Sequence, residues 1–143
     1  MLKNTSTNYG ALSIAIHWLS ALVIFSLFGV GYWMVDLNYY SEWYRLAPHY
    51  HKSVGVLLLF LTLFRIVWKQ LNPKPLPLSQ NVLENRLASL GHLSLYIILL
   101  VILFSGYLIS TADGRGIDVF NFFTVPSLGE LFSNQEDIAG DIH

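Results

Sequence analysis

Charged residues disappear from two long stretches of the chain and nearly disappear from a third. Ser13 to Val35 gives 23 residues without Asp, Glu, Lys or Arg, and Leu93 to Ala112 gives 20 more. At a rise of about 1.5 Å per residue, each run is long enough to cross a hydrocarbon core of about 30 Å. A shorter run, Ser53–Trp68, holds 16 residues broken only by Arg65 and bracketed by Lys52 and Lys69. Snorkelling lysines and an aromatic end such as Trp68 make up the missing length. The pattern predicts membrane spans over about 13–35, 53–69 and 92–112. The first is too long for the apolar part of a secretory signal, carries His17 and Trp18, and lacks a small-residue cleavage pattern, so it reads as a retained helix. After an outer-face segment over 113–138, the carboxylates Glu136, Asp137 and Asp141 suit a helix N-terminus. A fourth helix is expected to start at about 138 and to continue past residue 143.

Composition agrees: 54% of the 143 residues are apolar, 15% aromatic and 12% charged, against roughly 25% charged in soluble domains. The expected fold is an all-α membrane protein, an up-down transmembrane helical bundle in which residues 1–143 form one domain. Basic residues set the orientation. Lys69, Lys74 and Arg86 lie between the second and third spans, whereas the tail from Asp113 carries one Arg against six carboxylates. The N-terminus and the loop Asn72-Pro-Lys-Pro-Leu-Pro77 are therefore placed on the cytoplasmic side, with that loop a stiff extended connector. No Cys occurs, which removes disulfides, iron–sulfur ligation and thioether-linked heme. No basic patch suits a nucleic acid; the partner that the composition demands is the lipid bilayer.

The histidines fall into two layers. His17 and His92 lie at the cytoplasmic ends of the first and third spans; His49 and His51 open the second from the outer side, and His143 would open the fourth there. One histidine at a helix end is ordinarily an interfacial hydrogen-bonding residue, but two layers of them point to shared chemistry. Neutral imidazoles facing one another across apolar helices suit bis-histidine heme ligation, with one nitrogen from each side of the porphyrin. Zinc would recruit Cys, Asp or Glu, and a proton relay would use membrane carboxylates; the spans contain neither. His49 and His51 differ by about 200° around a helix, so only one faces a given iron. Gly55, four residues after His51, lies on the same face and leaves room for a macrocycle, which favours His51. Arg65 follows His51 by 14 residues, almost four turns and about 21 Å further along nearly the same face. There it is either a snorkelling anchor or a guanidinium partner for a heme propionate in the cytoplasmic layer.

Taken in order, Ile14-Ala-Ile-His17-Trp18, His51-Lys-Ser-Val-Gly55, Phe64-Arg65-Ile-Val-Trp68, the proline-rich loop and Leu90-Gly-His92-Leu-Ser-Leu-Tyr96 resemble the bacterial cytochrome b561 family over essentially the whole chain. Each motif is weak alone; their order and spacing are specific together. The family is similar in turn to the cytochrome b subunits of nickel–iron hydrogenases and formate dehydrogenases. The resemblance implies a four-helix bundle in the bacterial inner membrane with two b-type hemes. It maps the outer heme's ligands onto His51 and His143, and one ligand of the inner heme onto His17. A second fourth-helix histidine, 14 residues after the first, would complete the inner site at position 157, beyond the last residue given. His92 is then either a substitute axial ligand or a hydrogen-bonding, quinone-side residue.

The resemblance further implies electron transfer from an outer-face donor to the ubiquinone pool, with superoxide the donor in one branch of the family. A positive approach surface suits superoxide, and the outer loops are net acidic apart from Arg45, Lys52 and Arg115. The alternative reading is a heme-bearing membrane anchor that docks a periplasmic dehydrogenase or hydrogenase. In either reading the outer segment, with Phe120, Phe122, Phe123 and Phe132, covers the heme mouth or meets a partner.

Overall fold

The computed structural model describes residues 1–143. Three long helices, α1 (Ala11–Met34), α2 (Trp43–Leu71) and α3 (Val82–Thr111), are followed by a hairpin of β1 (Ile117–Val119) and β2 (Phe123–Val125) and by a short α4 (Gln135–Ile142). Each of the three long helices has the length and composition to cross a membrane. Two extend well before the apolar runs that announce them: α2 begins at Trp43 rather than near Ser53, and α3 at Val82 rather than near His92. An apolar run marks only the part of a helix that lipid surrounds. In water, capping decides the start: Asn81 accepts the Leu83 N–H at 2.9 Å and Glu84 adds a carboxylate to the first turn of α3. Pro48 sits inside α2, in its second turn, where its ring removes a single backbone donor. His49, His51 and His92 therefore lie within helices rather than at their openings.

Packing follows membrane rules. The large apolar side chains point outward, Phe25 and Phe28 being 76% and 75% exposed, while the positions between helices hold Ser20, Ala47, Ser53, Thr62, Ser105, Thr111 and Ala139. Small residues let backbones approach where lipid removes the usual hydrophobic drive. Their hydroxyls are satisfied within the helix: Ser20, Thr62 and Thr111 each donate to the carbonyl four residues earlier at 2.7 Å.

Helix α1 packs along α2, α4 packs on α3, and α2 touches α3 more slightly; α1 and α3 do not meet. At one end the N-terminal segment closes on the proline-rich loop, with the Leu76 N–H donating to Ser6 O at 2.9 Å and Asn4 Nδ2 donating to Pro73 O at 3.3 Å. The hairpin and α4 occupy the other end. The chain thus runs up and down as expected, with the N-terminus and the proline-rich loop on one side.

The hairpin is the departure from a purely helical expectation. Its strands pair antiparallel, Ile117 with Val125 and Val119 with Phe123, and are only three residues each. The turn places Phe120 (φ 49°) and Asn121 (φ 62°) in the left-handed region, and the Phe122 N–H closes it on Val119 O at 3.0 Å. Asn tolerates this backbone; a Phe costs about 1–2 kcal/mol there. Tertiary contacts offset that strain. The Phe120 ring lies 6.0 Å from Tyr50 and 6.2 Å from His49, and Ile117 and Val119 pack with Val56 of α2. Ser53 Oγ donates to Asp118 O and accepts the Phe120 N–H, both at 3.2 Å, and so ties the hairpin to α2.

Ser53→Ala removes both of those bonds, and the Phe120 amide should then exchange about tenfold faster, the equivalent of roughly one hydrogen bond. Residue-resolved hydrogen exchange checks this; unchanged protection would show that apolar contact alone seats the hairpin.

Candidate functional site

At the hairpin end, α2 presents His51 toward α4 and the end of α4 presents His143 toward α2. Their ring centroids are 6.2 Å apart with planes at 83°, although the two helices themselves do not meet. A neutral imidazole carries one N–H and one lone pair, and the partner of one nitrogen decides what the other offers. His143 Nδ1 lies 2.8 Å from the Ile102 carbonyl oxygen, which only accepts, so Nδ1 holds the proton and Nε2 keeps its lone pair. Ser105 Oγ, itself donating to Ile102 O at 2.8 Å, stands 3.1 Å from the same nitrogen. This is the arrangement that orients a metal-binding histidine. His51 is half-buried, and its Nδ1 is buried with no hydrogen-bond partner.

Two glycines make room for these rings. A Cβ on Gly106 of α3 would stand 2.8 Å from His143 Cε1, and one on Gly31 of α1 would stand 3.1 Å from His51 Cε1. A side chain at Gly106 would force the His143 ring to shift, and one at Gly31 would press on the His51 ring. Gly55, the glycine singled out in the sequence, faces open space, with no atom within 4 Å of an added Cβ.

The other end is built differently. Arg65 of α2 donates from Nη2 to His17 Nδ1 of α1 at 2.8 Å, and its guanidinium also lies over the Tyr96 ring of α3 at 5.4 Å. Lys69, one turn on, lies over the same ring at 5.3 Å. Beside them, Trp68 Nε1 donates to Ser13 Oγ at 3.0 Å, which joins α2 to α1. His92 is exposed on α3 and makes no hydrogen bond or ring contact, so the structure does not bring it to His17. His49 turns away from His143 and packs edge-on against Phe120.

Two histidines face one another at one layer and a histidine meets a guanidinium at the other. No three His, Cys, Asp or Glu side chains converge anywhere, so the donor set is not that of a structural zinc site. The family model for prokaryotic cytochrome b561 matches residues 8–143. Cytochrome b561 homolog 2 of Escherichia coli (strain K12) is 47% identical over 141 residues, covering 98% of this chain and 75% of that protein. The chain belongs to the prokaryotic cytochrome b561 family. It is a multi-pass membrane b-type cytochrome of electron transfer, and heme b is the cofactor the family implies.

The residues at the hairpin end fit such a group. Two metal–nitrogen bonds of about 2 Å each, with about 1 Å from each nitrogen to its ring centre, separate two axial imidazoles by about 6 Å, and the cytochrome holds His51 and His143 at 6.2 Å. One ring is preset by a carbonyl and the other has an unpartnered nitrogen; His51 is half-buried and His143 is exposed. The sequence reading had no hold on Gly31 and Gly106. The available signal was a small residue inside a membrane helix, but α1 alone holds two such glycines and only one of them meets a histidine.

Gly106→Ala forces the His143 ring to shift and should lower heme bound per chain severalfold. Gly29→Ala, whose Cβ would meet nothing within 4 Å, should leave it unchanged. Pyridine hemochrome quantitation of the purified variants distinguishes the two.

Proposed function

We propose that this cytochrome carries two b-type hemes and moves electrons across the bacterial inner membrane, from a donor at the hairpin face to ubiquinone. The observation that carries this reading is the spacing of His51 and His143 together with the Nδ1–H of His143 held by Ile102 O. His51 and His143 would hold the outer heme, which would supply reversible one-electron exchange. The protein's part is to fix the two imidazoles and to keep the Nε2 lone pair of His143 free. Gly31 and Gly106 set how closely the rings approach, and Gly55 leaves the space beside His51 open for the macrocycle.

His17 would hold the inner heme, and Arg65, which lies 2.8 Å from it, would suit a carboxylate of that group. His92, exposed at that end, is available to the quinone rather than to iron. Lys69, Lys74 and Arg86 support an orientation with the N-terminus and the proline-rich loop on the cytoplasmic side.

A second reading, an anchor for a periplasmic redox partner, draws on the aromatic residues at the hairpin end, where Tyr40 is 93% and Phe122 87% exposed. Stoichiometric co-purification of a periplasmic protein would favour it, and a stable lone cytochrome would favour the first.

A reduced-minus-oxidised spectrum with heme quantitation tests the main reading. The protein should show sharp b-type bands, and His51→Ala should abolish the heme that depends on His143. Retention of that heme in His51→Ala, with unchanged bands, would overturn the ligand assignment.

A further inference from the structure

Charge is unevenly shared between the two ends of the bundle. At the end with the proline-rich loop lie Lys3, Arg65, Lys69, Lys74 and Arg86, against the single carboxylate of Glu84. The other three basic residues and the other eight carboxylates lie at the hairpin end. Glu84 is occupied locally at the start of α3, accepting from Ser79 Oγ at 2.5 Å and from Asn81 Nδ2 at 3.4 Å. The protein's single ion pair, Arg115–Asp113, belongs to the hairpin end. None of the five cations therefore has a carboxylate partner.

Two of them converge on one ring. Lys69 Nζ lies 5.3 Å and Arg65 Cζ 5.4 Å from the centre of the Tyr96 ring on α3. Arg65 also has His17, whereas Lys69 has only the ring face, and the charges of Lys74 and Arg65 both act against its own. A ring face attracts a cation, but it does not cancel the repulsion between like charges. Asn4 Nδ2 donates to Pro73 O, which brings the backbone at Lys3 beside that at Lys74 and adds a further cation to the group. Like charges gathered in this way are relieved together by one shared anion.

Depth selects the anion. Lys69 follows directly on the apolar run Ser53–Trp68, at the edge of the hydrocarbon, where lipid phosphates lie. Around the Tyr96 ring, Phe64 and Val67 of α2 and Leu93 and Ile97 of α3 are exposed and apolar, a surface for acyl chains that a free phosphate would not use. A zwitterionic headgroup brings its own cation, so the excess positive charge favours a lipid of net negative charge. We propose that Lys69, backed by the Tyr96 ring, and Lys74 hold the phosphate of an anionic phospholipid at the seam between α2 and α3. These two helices touch only slightly, and a headgroup held on α2 with its chains along α3 adds a contact between them that the chain itself does not make.

Native mass spectrometry of the full chain, purified from vesicles of phosphatidylglycerol and phosphatidylcholine in equal amounts, tests the site. The wild-type chain should retain phosphatidylglycerol about tenfold in preference to phosphatidylcholine. That preference should be lost in Lys69→Gln/Lys74→Gln and kept in Lys69→Arg/Lys74→Arg and in Arg86→Gln. Equal retention of the two lipids by the wild-type chain overturns the proposal and needs no variant. A preference undiminished in the glutamine pair, or lost as fully in Arg86→Gln, places the effect in the overall charge of this end and overturns the site. Displacement of the retained lipid by millimolar inorganic phosphate would mark a site for the free anion and overturn the assignment to a lipid.

Discussion

A neutral imidazole has one proton and two nitrogens, and the two ends of this bundle differ in which partner claims the first nitrogen. Ile102 O claims Nδ1 of His143 as an acceptor; Arg65 claims Nδ1 of His17 as a donor. The same residue type thereby faces an acceptor at one end and a donor at the other. His51 stands between these cases, with a buried Nδ1 that nothing claims. Inside a membrane such choices are few, because an unsatisfied polar atom finds no water and each available carbonyl, hydroxyl or guanidinium is decisive.

The helices that deliver these rings are joined by a few polar side chains reaching between elements, with only a small apolar cluster at the hairpin. Ser53 links α2 to the hairpin, Trp68 and Ser13 link α2 to α1, and Gln135 links α4 to α3 through its Nε2 donating to Leu108 O at 3.0 Å. The same Gln135 accepts the Leu131 N–H at 2.6 Å, so one buried side chain fixes both the entry to α4 and its height on α3. This anchoring helps bring His143 to a defined place on α3.

Much of this was legible in the sequence for a simple reason: a membrane restricts a chain to lengths and polarities that can be counted. Three spans, their order, and the two histidine layers follow from runs without charge and from where the histidines interrupt them. The approach of His51 to His143 follows the family motifs, and the structure brings those two rings together. Less legible was whatever depends on one contact across the fold. A strand of three residues leaves no periodic pattern, so the hairpin went unseen, and Phe120 is an unlikely residue for a left-handed turn on local grounds. Gln135 read as part of an acidic tail, since nothing in its neighbourhood tells of a carbonyl on α3. Arg65 was placed correctly by its turn count at the layer of His17, but that count could not say that His17 itself would be its partner.

The attachment of α4 has a mechanical meaning. Gln135 and His143 grip α3 at the carbonyls of Leu108 and Ile102, two points almost two turns apart, so α3 and α4 behave as a single plate. Helices α1 and α2, packed along their length and stitched by Trp68 and Arg65, form a second plate. The rings of His51 and His143 belong to different plates. Between the plates run two ties, the proline-rich connector at one end and the hairpin, seated on α2 by Ser53 and Val56, at the other, so the spacing of the two rings is set from both ends of the bundle.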